Sequence, residues 1–348
     1  MWHDILFVVL GLICLILGGN YLTDGAVAVA RRFNVSSVII GLTVVALGSS
    51  MPDIVICVES AIEQKSAIAV GDIVGANIFD ILLVAGIMAL IRPWRVSDTM
   101  LKDDLPMLVL ASVSIWIVGD SVMFDATSTN VVTRSAGVML LLIFIVYMRL
   151  TLRSARTQLN VSGSISAAHM PDSVSKARVV KAEGKAVRMK MLVAWISIIG
   201  GLGALVIGGN WIVDGASGIA LKAGMSQSMV GLTVVAIGNS MPDMFTSVVA
   251  TIKGQSSLAF GNIVGSCIIN VLLALGLSAA ITPLQAQGIG LIDFLTLVIG
   301  SLLLWVFPFL SKSRKINRGE GVVLTLLYVA YMTYLVLHAS GVFRLPVL

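Results

Sequence analysis

Charged residues are scarce in this chain: Asp, Glu, Lys and Arg make up 12% of its 348 residues, while 57% are hydrophobic. A soluble domain carries about twice that charged fraction, so a water-soluble fold is excluded. Cysteine is nearly absent. Cys14, Cys57 and Cys267 each fall in an apolar segment, and no two are spaced as a pair. That excludes a disulfide framework and a structural zinc. Neither the thiolate nor the imidazole pattern preferred by softer metals occurs, and the 16 methionines are scattered rather than ordered as a metal-binding series. No nucleotide motif is present, which excludes an ATP-driven pump. The net charge of +5 does not mark a nucleic-acid binder. The basic residues cluster between apolar segments, where membrane topology accounts for them.

What the chain does have is long apolar runs. Segments of about 18–25 apolar residues recur along it, each long enough to cross a bilayer as a helix. Ten spans are predicted, near 4–30, 38–61, 67–90, 105–120, 133–150, 191–219, 229–252, 258–280, 291–308 and 322–340. The first and sixth exceed a perpendicular crossing and are expected to tilt. The first run follows Met1-Trp2-His3-Asp4 and lacks the positive flank of a secretory signal, so it is expected to be retained. One polar segment, 151–190, rich in Arg, Lys, Ser and Ala, reads as a linker with some helix in it.

Residues 11–93 recur without a gap as 201–283, at an offset of 190, with about 37 of 83 positions identical. Gly18-Gly19-Asn20 returns as Gly208-Gly209-Asn210, and Ser50-Met51-Pro52-Asp53 as Ser240-Met241-Pro242-Asp243. The retained residues are Gly, Pro, Asn, Ser and Asp, which lipid tolerates poorly. Keeping them twice implies one site built from two halves.

Orientation follows from the basic residues. Arg31-Arg32, the Arg92/Arg95/Lys102 loop, the central segment and the Lys312/Arg314/Lys315/Arg318 loop are expected on the cytoplasmic side, and loops 121–132 and 281–290, without Lys or Arg, outside. Both termini then lie outside. The loop after Pro93 is basic and the one after its equivalent Pro283 is not, as five spans per half require if the second copy is inverted. The expected architecture is two inverted five-helix halves, 1–150 with its repeat at 41–93 and 191–348 with its repeat at 231–283, joined by the linker.

Two motif pairs carry polar groups into the membrane. In Gly48-Ser49-Ser50-Met51-Pro52-Asp53 and Gly238-Asn239-Ser240-Met241-Pro242-Asp243, proline removes a backbone donor and displaces the carbonyl four residues back, loosening those around Ala46–Ser49. Loosened carbonyls, the hydroxyls of Ser49, Ser50 and Ser240, the Asn239 amide and two carboxylates form an all-oxygen set suited to hard cations. Alternatively, the pair is two kinked helices whose polar groups satisfy one another. The second pair runs from Gly71 to Asp80 and from Gly261 to Asn270. Residues 72, 76 and 80, and likewise 262, 266 and 270, are spaced four apart and share a helix face, so Asp80 and Asn270 hold equivalent places. Glu59 lacks a charged counterpart and reads as an end-of-helix residue. Asp24 and Asp214, near the ends of the long helices, read as structural or interfacial.

At these motifs the chain resembles the cation/Ca²⁺ exchanger superfamily, particularly bacterial and archaeal sodium/calcium exchanger-like proteins, over nearly its whole length. The family pattern is approximately Gly-Thr-Ser-x-Pro-Glu followed by Gly-Asn-x-x-Gly-Ser-Asn-x-x-Asn. The resemblance implies Asp53 and Asp243 as central cation-binding carboxylates, with Ser49, Ser50, Asn239 and Ser240 as further ligands. It implies carbonyls from Ala46 and Ala236, flanking sodium sites at Ala76 and Ser266, and a middle site at Asp80 and Asn270. The chain departs from the pattern in several places. Asp replaces the usual Glu, Asn239 the usual Thr and Ala76 the usual Ser, and Asp80 adds an acid opposite a neutral Asn270. A shorter carboxylate requires a closer helix approach, an intervening water or a different ion.

The expected function is Na⁺/Ca²⁺ antiport across the plasma (inner) membrane. It needs no cofactor and no covalent catalysis: Ca²⁺ and Na⁺ are the transported partners, and the bilayer is the solvent. The competing reading is a proton-coupled or K⁺-dependent exchanger of Ca²⁺ or another divalent cation, with Asp80 as the discriminating residue. A passive channel lacks support from an inverted repeat. A two-aspartate protease fits poorly, because each acid follows Pro in an all-oxygen motif.

Overall fold

The computed structural model describes residues 2–33, 35–63, 66–120, 122–123, 129–167, 189–222, 236–286, 289–311 and 313–339. In chain order the helices are α1 (Trp2–Arg32), α2 (Ser37–Ile40), α3 (Ala46–Ser49), α4 (Met51–Ile62), α5 (Ser66–Ile78), α6 (Ala85–Ile91), α7 (Leu105–Gly119), α8 (Arg134–Ala167), α9 (Met191–Lys222), α10 (Ala236–Asn239), α11 (Met241–Ile252), α12 (Ser256–Ile269), α13 (Gly276–Ile281), α14 (Leu291–Leu310) and α15 (Arg318–Ala339). Wider π-helical turns occupy Gly41–Val45, Phe79–Val84, Met100–Asp104 and Asn270–Leu275. The strands are two residues each: β1 (Trp94–Arg95), β2 (Val131–Val132), β3 (Leu284–Gln285) and β4 (Lys315–Ile316).

Among the described residues seven helical stretches are long and apolar enough to cross a membrane, and the pair interrupted at Ser50, Ser37–Ser49 with Met51–Ile62, makes an eighth. Of the ten spans read from the sequence, the fourth is the 15-residue α7, preceded by the π turn Met100–Asp104. The seventh begins outside the described residues and is represented by α10 and α11. The segment read as a linker carries helix at its start, where α8 runs on to Ala167. Residues 168–188, with most of that segment, and 231–235, the start of the second repeat's motif region, lie outside the described residues.

The chain forms two compact units, Met1–Ser49 with Ile145–Gly265, and Ser50–Phe144 with Ser266–Leu348. In the first, α1 and α9 pair antiparallel. A Cβ on Gly11 would sit 2.7 Å from the Gly208 carbonyl oxygen, one on Gly18 2.8 Å from that of Gly201, and one on Gly25 2.7 Å from that of Ala194. Glycine at these positions lets two backbones approach to a distance that any side chain would prevent. Gly11 and Gly18 are the repeat equivalents of Gly201 and Gly208. The pair therefore exchanges equivalent positions, which requires a local two-fold axis perpendicular to both helices. Asp4 and Lys222 close one end of the pair as an ion pair. In the second unit, β1 pairs antiparallel with β4 (Trp94↔Ile316) and β2 with β3 (Val131↔Gln285). β1 and β3 are repeat equivalents, each following its proline.

The deepest stretches carry the polar motifs. Of an 18-residue apolar window in each stretch, 78% is buried in Ala69–Ile91 and 83% in Ser256–Ile281, against 17% in Arg318–Leu337. Their polar side chains Asn77, Asp80, Asn262 and Asn270 are buried.

Candidate functional site

Proline shapes both half-sites in the same way. Pro52 and Pro242 stand in the first turns of α4 and α11, where a missing backbone donor costs nothing. The preceding serines, Ser50 and Ser240, form the junctions, with φ near −82° and −86°. Asp53 and Asp243 fall in the first turn after each break, where the helix N-terminus favours negative charge. They are 2% and 3% exposed, and a carboxylate so placed needs compensation.

In the first unit that compensation runs through Asn262. Its Nδ2 donates to Asp243 Oδ1 at 3.0 Å and approaches Ser247 Oγ at 3.2 Å. Its Oδ1 accepts from Ser49 Oγ at 3.1 Å. One amide thus ties the first repeat's serine to the second repeat's acid. The expected freed carbonyl of Ala46 is partly claimed: Ser49 Oγ lies 3.0 Å from the Val45 oxygen and 3.3 Å from that of Ala46. Ala236 opens α10 and Asn239, half-buried, ends it.

In the second unit the bridge is Asn270. Its Nδ2 donates to Asp53 Oδ2 at 3.0 Å and lies 3.4 Å from Asn77 Oδ1. Asn77 Nδ2 donates to the Cys267 carbonyl at 3.0 Å, and Cys267 Sγ lies 4.0 Å from the Asn77 carbonyl. Asn77 and Cys267 are repeat equivalents, so their mutual contact marks a point where the two copies meet symmetrically. Asp80 and Ser266 are buried at 1% and 0% exposure.

The buried oxygens without a hydrogen-bond partner among the described residues include Ser50 Oγ, Ser240 Oγ, Asn270 Oδ1 and Thr246 Oγ1. An unpaired buried oxygen costs about 1–3 kcal/mol. The two serine hydroxyls among them occupy equivalent positions one turn before an acid, which points to a recurring occupant. All are oxygens, as Ca²⁺ and Na⁺ prefer. Among the described residues no three His, Cys, Asp or Glu side chains converge as a metal cluster, so the donor set consists of hydroxyls, amides and isolated carboxylates.

The predicted residues divide between the units. Ser49 and Asp243 share the Asn262 bridge in the first, Asp53 and Asn270 bond directly in the second, and Ala76 is buried on α5. The sequence reading missed three residues. Asn262 lay on the predicted stripe but was not assigned, and Ser247 and Asn77 lay off any stripe. Regular helix ends at Ile78 and Ile269, and Asp80 and Asn270 fall in π turns; such turns favour functional positions.

Comparison with known proteins follows from this geometry. The family described as sodium/calcium exchanger protein matches residues 3–153 and 193–337. The chain is 32% identical over 329 residues to the putative antiporter CaxA of Alkalimonas amylolytica, covering 94% of this chain and 96% of that protein. It is 30% identical over 349 residues to the sodium/calcium exchanger MaX1 of Methanosarcina acetivorans, covering 95% and 98%. It is also similar to a solved structure of the sodium-calcium exchanger NCX_Mj soaked with 10 mM Na⁺ and zero Ca²⁺, with a TM-score of 0.75 at 29% identity, covering 95% of this chain and 98% of that one.

Proposed function

The chain belongs to the sodium/calcium exchanger protein family, and on that premise we propose that it is a secondary antiporter that exchanges Na⁺ for Ca²⁺ by alternating access. The observation that carries the reading is the pair of buried, partnerless serine hydroxyls, Ser50 and Ser240, each one turn from a buried aspartate in an equivalent proline-broken helix. Asp53 and Asp243 are the central carboxylates. Ser49, Ser50, Asn239, Ser240, Ser266, Asp80, Asn270 and the carbonyls of Ala46 and Ala236 complete the cation-binding set.

The chemistry is electrostatic. Asp53, Asp243 and Asp80 hold up to three negative charges in a low-dielectric setting, and leaving them uncompensated is costly. Three Na⁺ neutralise all three. One Ca²⁺ neutralises two, and Asp80 then takes a proton or a monovalent ion. Competition for the same oxygens couples the two fluxes without covalent chemistry.

The proposed frame is ten spans in two inverted halves, 1–150 and 191–348, with the linker cytoplasmic and both termini outside. Two features support it. The α1–α9 pair exchanges equivalent residues about an axis perpendicular to the helices. The clasps β3 and β4 flank the 20-residue α14, so repeat-equivalent β1 and β3 are separated by about 30 Å of helix. The basic residues Arg95 and Lys315 lie on one clasp only, as the positive-inside rule requires of a cytoplasmic face. The long α1 and α9, joined by their glycines, move as one piece.

The test is radiolabelled Ca²⁺ uptake into proteoliposomes under an imposed Na⁺ gradient. Uptake is expected to require the gradient and to vanish in Asp53→Asn and Asp243→Asn. Uptake that persists in both variants rejects the reading. The burial of Asp80 in a π turn favours the second reading, a proton- or K⁺-dependent exchanger of Ca²⁺ or another divalent cation. It predicts a dependence on pH or K⁺ that disappears in Asp80→Asn.

A further inference from the structure

The two copies of the motif differ in charge at positions 72 and 262, outside the proposed cation-binding set. In the second repeat, the Asn262 amide holds Asp243 and reaches Ser247, at 3.0 and 3.2 Å. The equivalents of Asp243, Ser247 and Asn262 in the first repeat are Asp53, Cys57 and Asp72. The amide there is a carboxylate.

The helix packing that sets this trio recurs in both copies. Cys57 Sγ lies 4.0 Å from the Ala69 carbonyl, and Ser247 Oγ lies 3.5 Å from the equivalent carbonyl of Ala259. The Cys57 thiol is also within electrostatic reach of both Asp72 and Asp53. Asp72 therefore stands to Asp53 as Asn262 stands to Asp243. The chemistry differs, because an ionised carboxylate accepts hydrogen bonds and donates none. Ionised Asp72 cannot hold Asp53 as the amide holds Asp243, and two neighbouring carboxylates repel unless a cation or a shared proton lies between them. Neutral oxygens lie near Asp53. Asn270 Nδ2 on Asp53 keeps its own buried, partnerless Oδ1 beside that carboxylate, and Ser50 Oγ is one turn away in the same condition.

We propose that Asp72 is a further cation ligand that sets ion selectivity, forming with Asp53 a two-carboxylate seat for a divalent cation, with Asn270 Oδ1 and Ser50 Oγ as its neutral oxygens. Paired carboxylates with neutral oxygens favour Ca²⁺ over Na⁺, since affinity for Ca²⁺ rises with ligand charge. The second repeat, with an amide where the first has Asp72 and so one carboxylate fewer, is the half better matched to Na⁺. The inference rests on the antiport reading and adds a residue to it.

The test is equilibrium binding of ⁴⁵Ca²⁺ and of ²²Na⁺ to the purified full-length protein, with Asp72→Asn, Asp72→Glu and Asn262→Asp beside wild type. Asp72→Asn copies the second repeat's side chain at nearly the same volume, and a melting temperature close to wild type checks its fold. It is expected to weaken Ca²⁺ binding about tenfold or more while changing Na⁺ binding far less. Asp72→Glu, which keeps the charge, is expected to retain the Ca²⁺ preference, and Asn262→Asp to raise it. Unchanged Ca²⁺ affinity in folded Asp72→Asn, or an equal loss for both ions, overturns the proposal. If Asp53→Asn still abolishes Ca²⁺ binding in that case, the antiport reading stands. Wild-type protein that binds no Ca²⁺ would reject the antiport reading itself.

Discussion

At the scale of single residues, the site is held by amides that connect acids to hydroxyls. Asn262 is fully buried and serves three partners, Asp243, Ser247 and Ser49. Replacing it by leucine of similar bulk leaves all three without that bridge, at a cost of about 1–3 kcal/mol. Asn262→Leu is expected to lower the melting temperature and to reduce Ca²⁺ uptake; a variant that melts and transports like wild type would show that the bridge is dispensable. Surface charges predict the opposite outcome. Asp98 pairs with Arg314 at the β1–β4 clasp, but both side chains are largely exposed. Asp98→Asn should therefore cost less than about 1 kcal/mol, read from the same melting experiment. Lys253 pairs with Asp24 at 2.7 Å, a contact compatible with the structural or interfacial role expected of Asp24.

At the scale of elements, the α1–α9 pair depends on glycine more than on hydrophobic bulk. A side chain at Gly18 would meet the Gly201 carbonyl and the Leu205 backbone nitrogen at 2.8 and 2.9 Å. Neither is the flexible end of a side chain, so the helices must separate. Gly18→Leu is expected to cost about 1–3 kcal/mol or more through overpacking, visible as a lower melting temperature and loss of uptake. Gly203 on α9 is the control. A Cβ there meets nothing within 4 Å, and alanine is the better helix former by about 1 kcal/mol. Gly203→Ala should be neutral or slightly stabilising, and equal damage from both substitutions would argue against close backbone approach as the cause.

For the whole molecule, the proposed inversion has the most consequences, because it would make one sequence motif serve both faces of a membrane. Its prediction concerns sidedness. Thr129, beside β2, and Lys315, on β4, are both exposed. Single cysteines at these positions, labelled with a membrane-impermeant thiol reagent in intact and in permeabilised cells, should react from opposite sides, with Thr129→Cys labelled from outside and Lys315→Cys only after permeabilisation. Labelling of both from one side rules out the inverted arrangement.

Much of this was legible in the residues themselves. The lack of charge made the chain a membrane protein, and the offset of 190 exposed the repeat. Prolines 52 and 242 located the helix breaks and the acids beside them, because the missing backbone donor is a property of one residue and needs no neighbours. The three-dimensional structure alone decided which polar groups meet. Asn77 and Asn262 gained their roles from helices distant in sequence, a relation that periodicity along one helix does not encode. The π turns that hold Asp80 and Asn270, Phe79–Val84 and Asn270–Leu275, left no mark in the apolar pattern either. A hydrogen bond between side chains far apart in the chain exists only once the helices pack, which is why the tertiary structure, and not the spacing along one helix, decided these partners.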